Sequence, residues 1–340
     1  MRLAYSRPLQ RLIAPARRRP ALWRLALGVV LGLAVYGVPL LGAGLALRLA
    51  LPEGTGAALM QEVAEGATPR GLLLALASFG FMALAPIAAA WLLHRRGAGT
   101  LFGPRAGLWR NFLRVTAVLS VMQVAVLIVL ATMTDLEPNV APATWLMLLP
   151  LSLPLLLLQV SAEEMVFRGY LMQQLAARFR SPLIWMFLPA VLFGIGHFSP
   201  QDAGANAWVV AAWATLFAVY AADLTARTGD LGAAIGFHFI NNFFSLLLVS
   251  LQGPMSGLSL YTLPFDGADD ATLPGLLWAE LAVLTLAWAL CLLVARPWPE
   301  DAAETPPPSA MGPEPVAEPA PALASIQTGR TRSPGDGPGS

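Results

Sequence analysis

The chain runs again and again for about twenty residues almost without a charge. Such windows fall near 25–47, 71–93, 113–132, 143–164, 183–198, 207–223, 231–251 and 274–295, the fifth and sixth being the shortest. About twenty apolar residues in a helix cross the roughly 30 Å hydrocarbon layer of a bilayer. Inside lipid every backbone N–H and C=O must be bonded within the protein, which leaves helices or closed barrels. Runs of this length suit helices, so the expected fold is all-α, a polytopic transmembrane bundle of about eight spans. Composition agrees: 56% of the 340 residues are hydrophobic and 12% charged, against about 45–50% and about 25% in soluble domains. A net charge of +1 and the lack of a basic-aromatic stripe exclude a nucleic-acid binder. Cys291, alone in the last run, offers no disulfide framework and reads as a small packed or lipid-facing hydrophobe.

Every basic side chain is arginine, and the arginines orient the spans. Arg2, Arg7, Arg11, Arg17, Arg18, Arg19 and Arg24 precede or open the first run, which is too long for a cleaved signal-peptide core of about 7–15 residues. The next basic loop carries Arg95, Arg96, Arg105, Arg110 and Arg114, and later ones Arg178, Arg180 and Arg227. The alternate loops are acidic, with Glu53, Glu62, Glu65, Asp135, Glu137, Asp202, Asp266, Asp269 and Asp270. Eight spans with both termini in the cytoplasm satisfy this pattern and suit a multi-pass protein of the cell (inner) membrane. Three regions follow: a basic cytoplasmic arm over 1–22, expected on anionic headgroups; a transmembrane domain over 23–296; and a disordered Pro-rich cytoplasmic tail over 297–340.

Against this background, Glu163-Glu164-Met165-Val166-Phe167-Arg168 at the end of the fourth run is an energetic anomaly. An ionised group near mid-bilayer costs roughly 2.5–3.5 kcal/mol on insertion scales. Glu164 and Arg168 stand four residues apart and can pair along one helical face. Glu163 is rotated by about 100° from Glu164 at 3.6 residues per turn and is expected to face elsewhere, free to act as a general base. His197 and His238 also lie in apolar surroundings, and Asn242 follows His238 by one helical turn. His94, beside Arg95 and Arg96, reads as a solvated or snorkelling side chain. A single polar residue in a bundle commonly serves as interhelical glue worth about 0.6 kcal/mol. Six on three otherwise apolar spans ask for chemistry or transport.

In sequence order, Glu163-Glu164-x-x-x-Arg168, Phe193-x-x-x-His197 and His238-x-x-x-Asn242 resemble the motifs of the CAAX prenyl protease type II and bacteriocin-processing (CPBP, or Abi) intramembrane proteases. The lead-in Arg227-Thr228-Gly229-Asp230-Leu231 is similar as well, and the likeness spans about 140–250. It implies a helix bundle that hydrolyses a peptide bond in a membrane-associated peptide or protein. Carried over, Glu163 and His197 activate water, His238 and Asn242 stabilise the oxyanion or assist a metal, and Glu164 with Arg168 orients the site. The family's metalloprotease naming implies Zn2+ on Glu163, His197 and His238, with a metal-free mechanism as the alternative. The competing functions are a proton-coupled transporter using the same carboxylates, and a non-catalytic immunity or binding relative.

One geometric tension is visible in advance. His238 lies near the start of its run and His197 near the far end of its own. Either the fourth helix is long and carries Glu163 to mid-membrane, or the short fifth segment and the 200–206 loop dip into the bundle around a watery cavity.

Overall fold

The computed structural model describes residues 6–269 and 272–297; residues 1–5 of the arm and all of the tail beyond Pro297 lie outside them. It is mostly helical, with α-helices in the order α1 (Arg7–Ile13), α2 (Leu22–Ala50), α3 (Thr55–Glu65), α4 (Pro69–His94), α5 (Gly99–Phe102), α6 (Arg105–Met133), α7 (Pro142–Glu164), α8 (Gln173–Arg178), α9 (Leu188–Gly196), α10 (Pro200–Ala203), α11 (Ala207–Thr228), α12 (Gly232–Phe243) and α13 (Leu273–Val294).

Among the described residues, six helical stretches are long and apolar enough to cross a membrane: Leu22–Ala50, Pro69–His94, Arg105–Met133, Pro142–Arg178, Pro200–Thr228 and Gly275–Val294. The protein is therefore a multi-pass membrane protein. Two of the eight expected runs fall below that length. Leu183–Gly196 and Gly232–Leu248 are apolar but shorter than eighteen residues. The second is cut short because the chain leaves the helix at Leu248 and enters strand β2 (Val249–Gln252). With β1 (Glu137–Pro138) and β3 (Tyr261–Asp266) it forms a small sheet in which β3 is central, antiparallel to β1 and parallel to β2.

Helix ends follow local chemistry. Thr68 caps α4 by accepting from the Gly71 N–H at 3.0 Å, with Pro69 at the first helical position. Gly229, at φ +75°, ends α11 in the left-handed conformation. Asp230 then opens α12 by accepting from the Gly232 N–H at 2.8 Å.

Packing sorts the helices into centre and rim. The apolar window of α2 is only 6% buried within the protein, and that of α11 is 56% buried. So α2 gives most of its surface to lipid, while α11 is an inner wall. One buried cluster joins α6, α9, α11, α12 and α13 through Val115, Phe193, Phe217, Leu224, Phe237 and Cys291; Cys291 is the packed hydrophobe of the two readings offered for it. The arm differs from a peptide lying on headgroups. Over residues 6–16 it folds back on the bundle, burying Leu9, Leu12, Ile13 and Ala16, and Ser6 Oγ donates to Ala226 O at 2.8 Å. Its apolar side chains outweigh its arginines in deciding where it rests.

Candidate active site

The fourth helix is the long one. It runs without a break from Pro142 to Arg178, passing through a π-helical stretch at Met165–Met172 directly after the paired glutamates. Such wide turns recur at functional sites. The 200–206 segment does not dip into the bundle: most of it is exposed, and Gly267 abuts its Asp202 carbonyl.

Glu164 is fully buried, and its Oε1 accepts from Arg168 Nη1 at 2.9 Å. Arg168, 1% exposed, also donates Nη2 to Ala218 O on α11 at 3.0 Å, with its guanidinium over the Phe193 ring at 5.1 Å. One side chain thus ties α7 to α9 and α11. The i,i+4 pair expected from the sequence forms.

The placement of Glu163 requires a correction. It does not face away from Glu164's partners, because both carboxylates meet His238. The imidazole stands between them, with Nδ1 at 2.9 Å from Glu164 Oε1 and Nε2 at 3.4 Å from Glu163 Oε2. The two nitrogens lie on opposite sides of one ring, so residues 100° apart on α7 can both reach it. An ionised Glu164, held by Arg168, can only accept, which assigns the Nδ1 proton to His238 and turns Nε2 toward Glu163. Glu163 Oε2 is buried without a hydrogen-bond partner, as is Glu164 Oε2.

One turn along, Asn242 Nδ2 donates to Gln159 Oε1 at 3.0 Å. Gln159 precedes Glu163 by four residues, and Asn242 follows His238 by four. Helices α7 and α12 are therefore joined by two polar rungs one turn apart, Glu163–His238 and Gln159–Asn242. Gln159 was missed in the sequence, although its position one turn before Glu163, on the same face, was a usable signal.

His197 stands on the other side of this group's hydrogen bonds, touching the Phe193 ring that also touches His238. Its ring is exposed, its Nδ1 lies 2.9 Å from its own helix's Phe193 O, and the Phe193 ring contacts both His197 and His238 at centroid distances of 4.5 and 6.1 Å. Among the described residues no hydrogen bond or ion pair links His197 to Glu163, Glu164 or His238. No group of three or more His, Cys, Asp or Glu side chains able to hold a metal ion forms among the described residues either. As arranged, Glu163, His197 and His238 do not form a zinc-ligand set. His94 is buried rather than snorkelling, bonded to Arg19 O and Tyr170 Oη at 3.0 Å each.

A cavity of about 470 Å³ lies between α6, α7 and α12, lined by Phe102, Leu108, Trp109, Phe112, Leu157, Ser161 and Ile235 among others. Leu157 and Ser161 share a helical face with Glu164.

Residues 143–244 match the family model described as Rce1-like, type II CAAX prenyl endopeptidase. The motif-bearing core of this chain is similar to the Rce1-like family. The matched stretch begins on α7 and ends just after Asn242, so it holds both polar rungs and Arg168. The chain is also similar to "Uncharacterized protein YyaK" of Bacillus subtilis (strain 168), 30% identical over 122 residues. That alignment covers 36% of this chain and 40% of the relative, so the likeness spans about two fifths of that protein. No solved structure matches. Helices α1 to α6 precede the Rce1-like segment, yet they supply α6 as the support on which α12 rests.

Proposed function

We propose that the protein is an intramembrane endopeptidase that hydrolyses a peptide bond in a membrane-associated peptide or protein, with both termini on the cytoplasmic side of the cell membrane. The observation carrying this reading is His238 clasped between two carboxylates of unlike standing. Glu164 is paired with Arg168 at 2.9 Å, whereas the ion-pair contact of Glu163 among the described residues is to His238, at 3.4 Å. Amide hydrolysis needs a base for the attacking water, a proton for the departing amine, and donors at the developing oxyanion. Glu163 takes the proton from water, whose oxygen bonds to the scissile carbonyl carbon, and the same proton goes to the amine nitrogen as the C–N bond breaks. His238 is oriented by Glu164 as a histidine is by the carboxylate of a hydrolytic triad, and its Nε2 flanks Glu163. The second N–H of Asn242 Nδ2, beyond the one given to Gln159, is available to the oxyanion. This reading assigns beside Glu163 the place that the motif resemblance assigns to His197. The cavity beside Leu157 and Ser161 supports approach of substrate from the bilayer.

The test is cleavage by the full chain in proteoliposomes, offered a library of lipidated and transmembrane peptides. Loss of a general base costs about 10²–10⁴-fold. Glu163→Gln is expected to lose at least 100-fold while unfolding at the wild-type temperature. Undiminished cleavage by that variant refutes the assignment. Zinc content of the same active preparation reports on metal dependence.

A further inference from the structure

At the end of α4 the chain places two arginines in opposite settings. Arg95 takes the left-handed backbone conformation, φ 52°, and leaves its side chain exposed; Arg96 turns inward and is 4% exposed. Arg96 Nη2 donates to Gln173 Oε1 at 3.1 Å and to Gly169 O at 3.3 Å, but its Nε and Nη1 are buried without a partner. No Asp or Glu among the described residues pairs with it, and burial lowers its guanidinium to about 10. A buried cation with unused donors and no counterion is a costly arrangement in a folded protein.

The surroundings add positive charge rather than removing it. Arg19 is within electrostatic reach of Arg95 and of Arg24, and Arg24 Nη1 is held by Leu93 O at 2.7 Å. Beside them opens a cavity of about 420 Å³ lined by Trp91, Leu92, Arg95, Arg96 and Gly97. Trp91 and Leu92 are 67% and 53% exposed on the outer face of a membrane-spanning helix, at its arginine-rich end. An exposed tryptophan there marks the level of lipid headgroups, and the cavity is of ligand size. The combination is an apolar wall for acyl chain with guanidinium donors at headgroup depth. Paired arginines suit phosphate, whose oxygens accept several charge-assisted bonds at once.

The geometry points to a phosphate-binding site at Arg95 and Arg96, filled from the membrane by the headgroup of an anionic phospholipid. Such a ligand supplies the charge that Arg96 lacks. It also braces the helix that carries the paired glutamates, since Arg96 holds Gly169 and Gln173 on its continuation. The binding does not depend on the chain being a protease.

The experiment uses the full chain in an uncharged detergent and follows tryptophan fluorescence against short-chain phosphatidylglycerol, short-chain phosphatidylcholine and inorganic phosphate. Saturable binding of phosphatidylglycerol is expected, weakened at least fivefold by Arg95→Ala and at least tenfold by Arg96→Gln, and unchanged by Arg180→Ala at another exposed arginine. Arg95 is exposed, so its variant decides the matter even if Arg96→Gln fails to fold. Inorganic phosphate binding as tightly as phosphatidylglycerol overturns the membrane source while leaving a phosphate site. Absence of saturable binding overturns the proposal, as does equal affinity for phosphatidylcholine or equal weakening by Arg95→Ala and Arg180→Ala.

Discussion

Removing Arg168 without removing Glu164 tests the energetic logic of the site. In Arg168→Met the side chain stays long and apolar, so packing near Phe193 and Ala218 is largely kept. What disappears is the counter-charge of a carboxylate that is 0% exposed and the donor to Ala218 O. Breaking a buried ion pair from one side costs about 3–5 kcal/mol; Ala218 O lies inside α11 and keeps its helical N–H partner, so its loss of a second donor adds little. The His238 Nδ1–H still reaches Glu164 Oε1 and offsets part of this. The expected loss is about 4 kcal/mol, which at about 2–4 °C per kcal/mol lowers the unfolding midpoint by about 8–16 °C. The informative partner is the double variant Glu164→Gln/Arg168→Met, which removes both charges. Its loss should fall short of the sum of the single losses by at least about 2 kcal/mol, because each single variant strands a charge that the double does not. The assay is thermal unfolding of the detergent-solubilised protein for the wild type, both single variants and the double. Strict additivity, or an Arg168→Met midpoint within about 2 °C of wild type, refutes the claim that the pair neutralises itself in the core.

Two further outcomes can be measured on the same preparation. Gly194 lets α9 approach α11 so closely that an added Cβ would sit 2.0 Å from Thr215 Oγ1 and 2.5 Å from Ala211 O; Gly194→Ala should destabilise by about 1–3 kcal/mol, and Thr215→Ala should not rescue it, because the backbone carbonyl remains. Asp230 is held by Gly232 N–H and Asn111 Nδ2, with Arg110 nearby, yet burial raises its carboxyl to about 6. The folded protein then keeps a proton that the unfolded chain loses near pH 4, so stability falls as pH rises from about 4 through about 6, by about 3 kcal/mol for roughly two units. Midpoints recorded over that range should flatten in Asp230→Asn, and an unchanged slope would rule Asp230 out as its source.

Much of the site was legible because helical spacing is a local property. Glu164–Arg168 and His238–Asn242 each share a face by the 3.6-residue period, whatever surrounds them, and the order of the three motifs located the family segment. The rest was set by rotation and depth. Glu163 was expected to face away from the Glu164 cluster, but the imidazole of His238 is wide enough to join both carboxylates. For His197, which the motif resemblance pairs with Glu163, the packing of α9 on α11 decides that Nδ1 meets Phe193 O and that the ring contacts Phe193. In the run at 231–251 the last apolar residues become strand β2, a choice that periodicity does not show.

By itself, then, the sequence determined that the chain lives in a bilayer as helices, that an ionised motif sits where lipid would reject it, and which side chains share a helical face. These follow from segment length, hydropathy and the 3.6-residue repeat, none of which needs a neighbour. Only the tertiary structure decided which faces meet. The two rungs Glu163–His238 and Gln159–Asn242 exist because α7 and α12 pack antiparallel in one register, on an α12 seated closely against α6 where Gly232 meets the Leu108 backbone. That register comes from side-chain packing between segments some seventy residues apart along the chain, and no spacing within either segment encodes it.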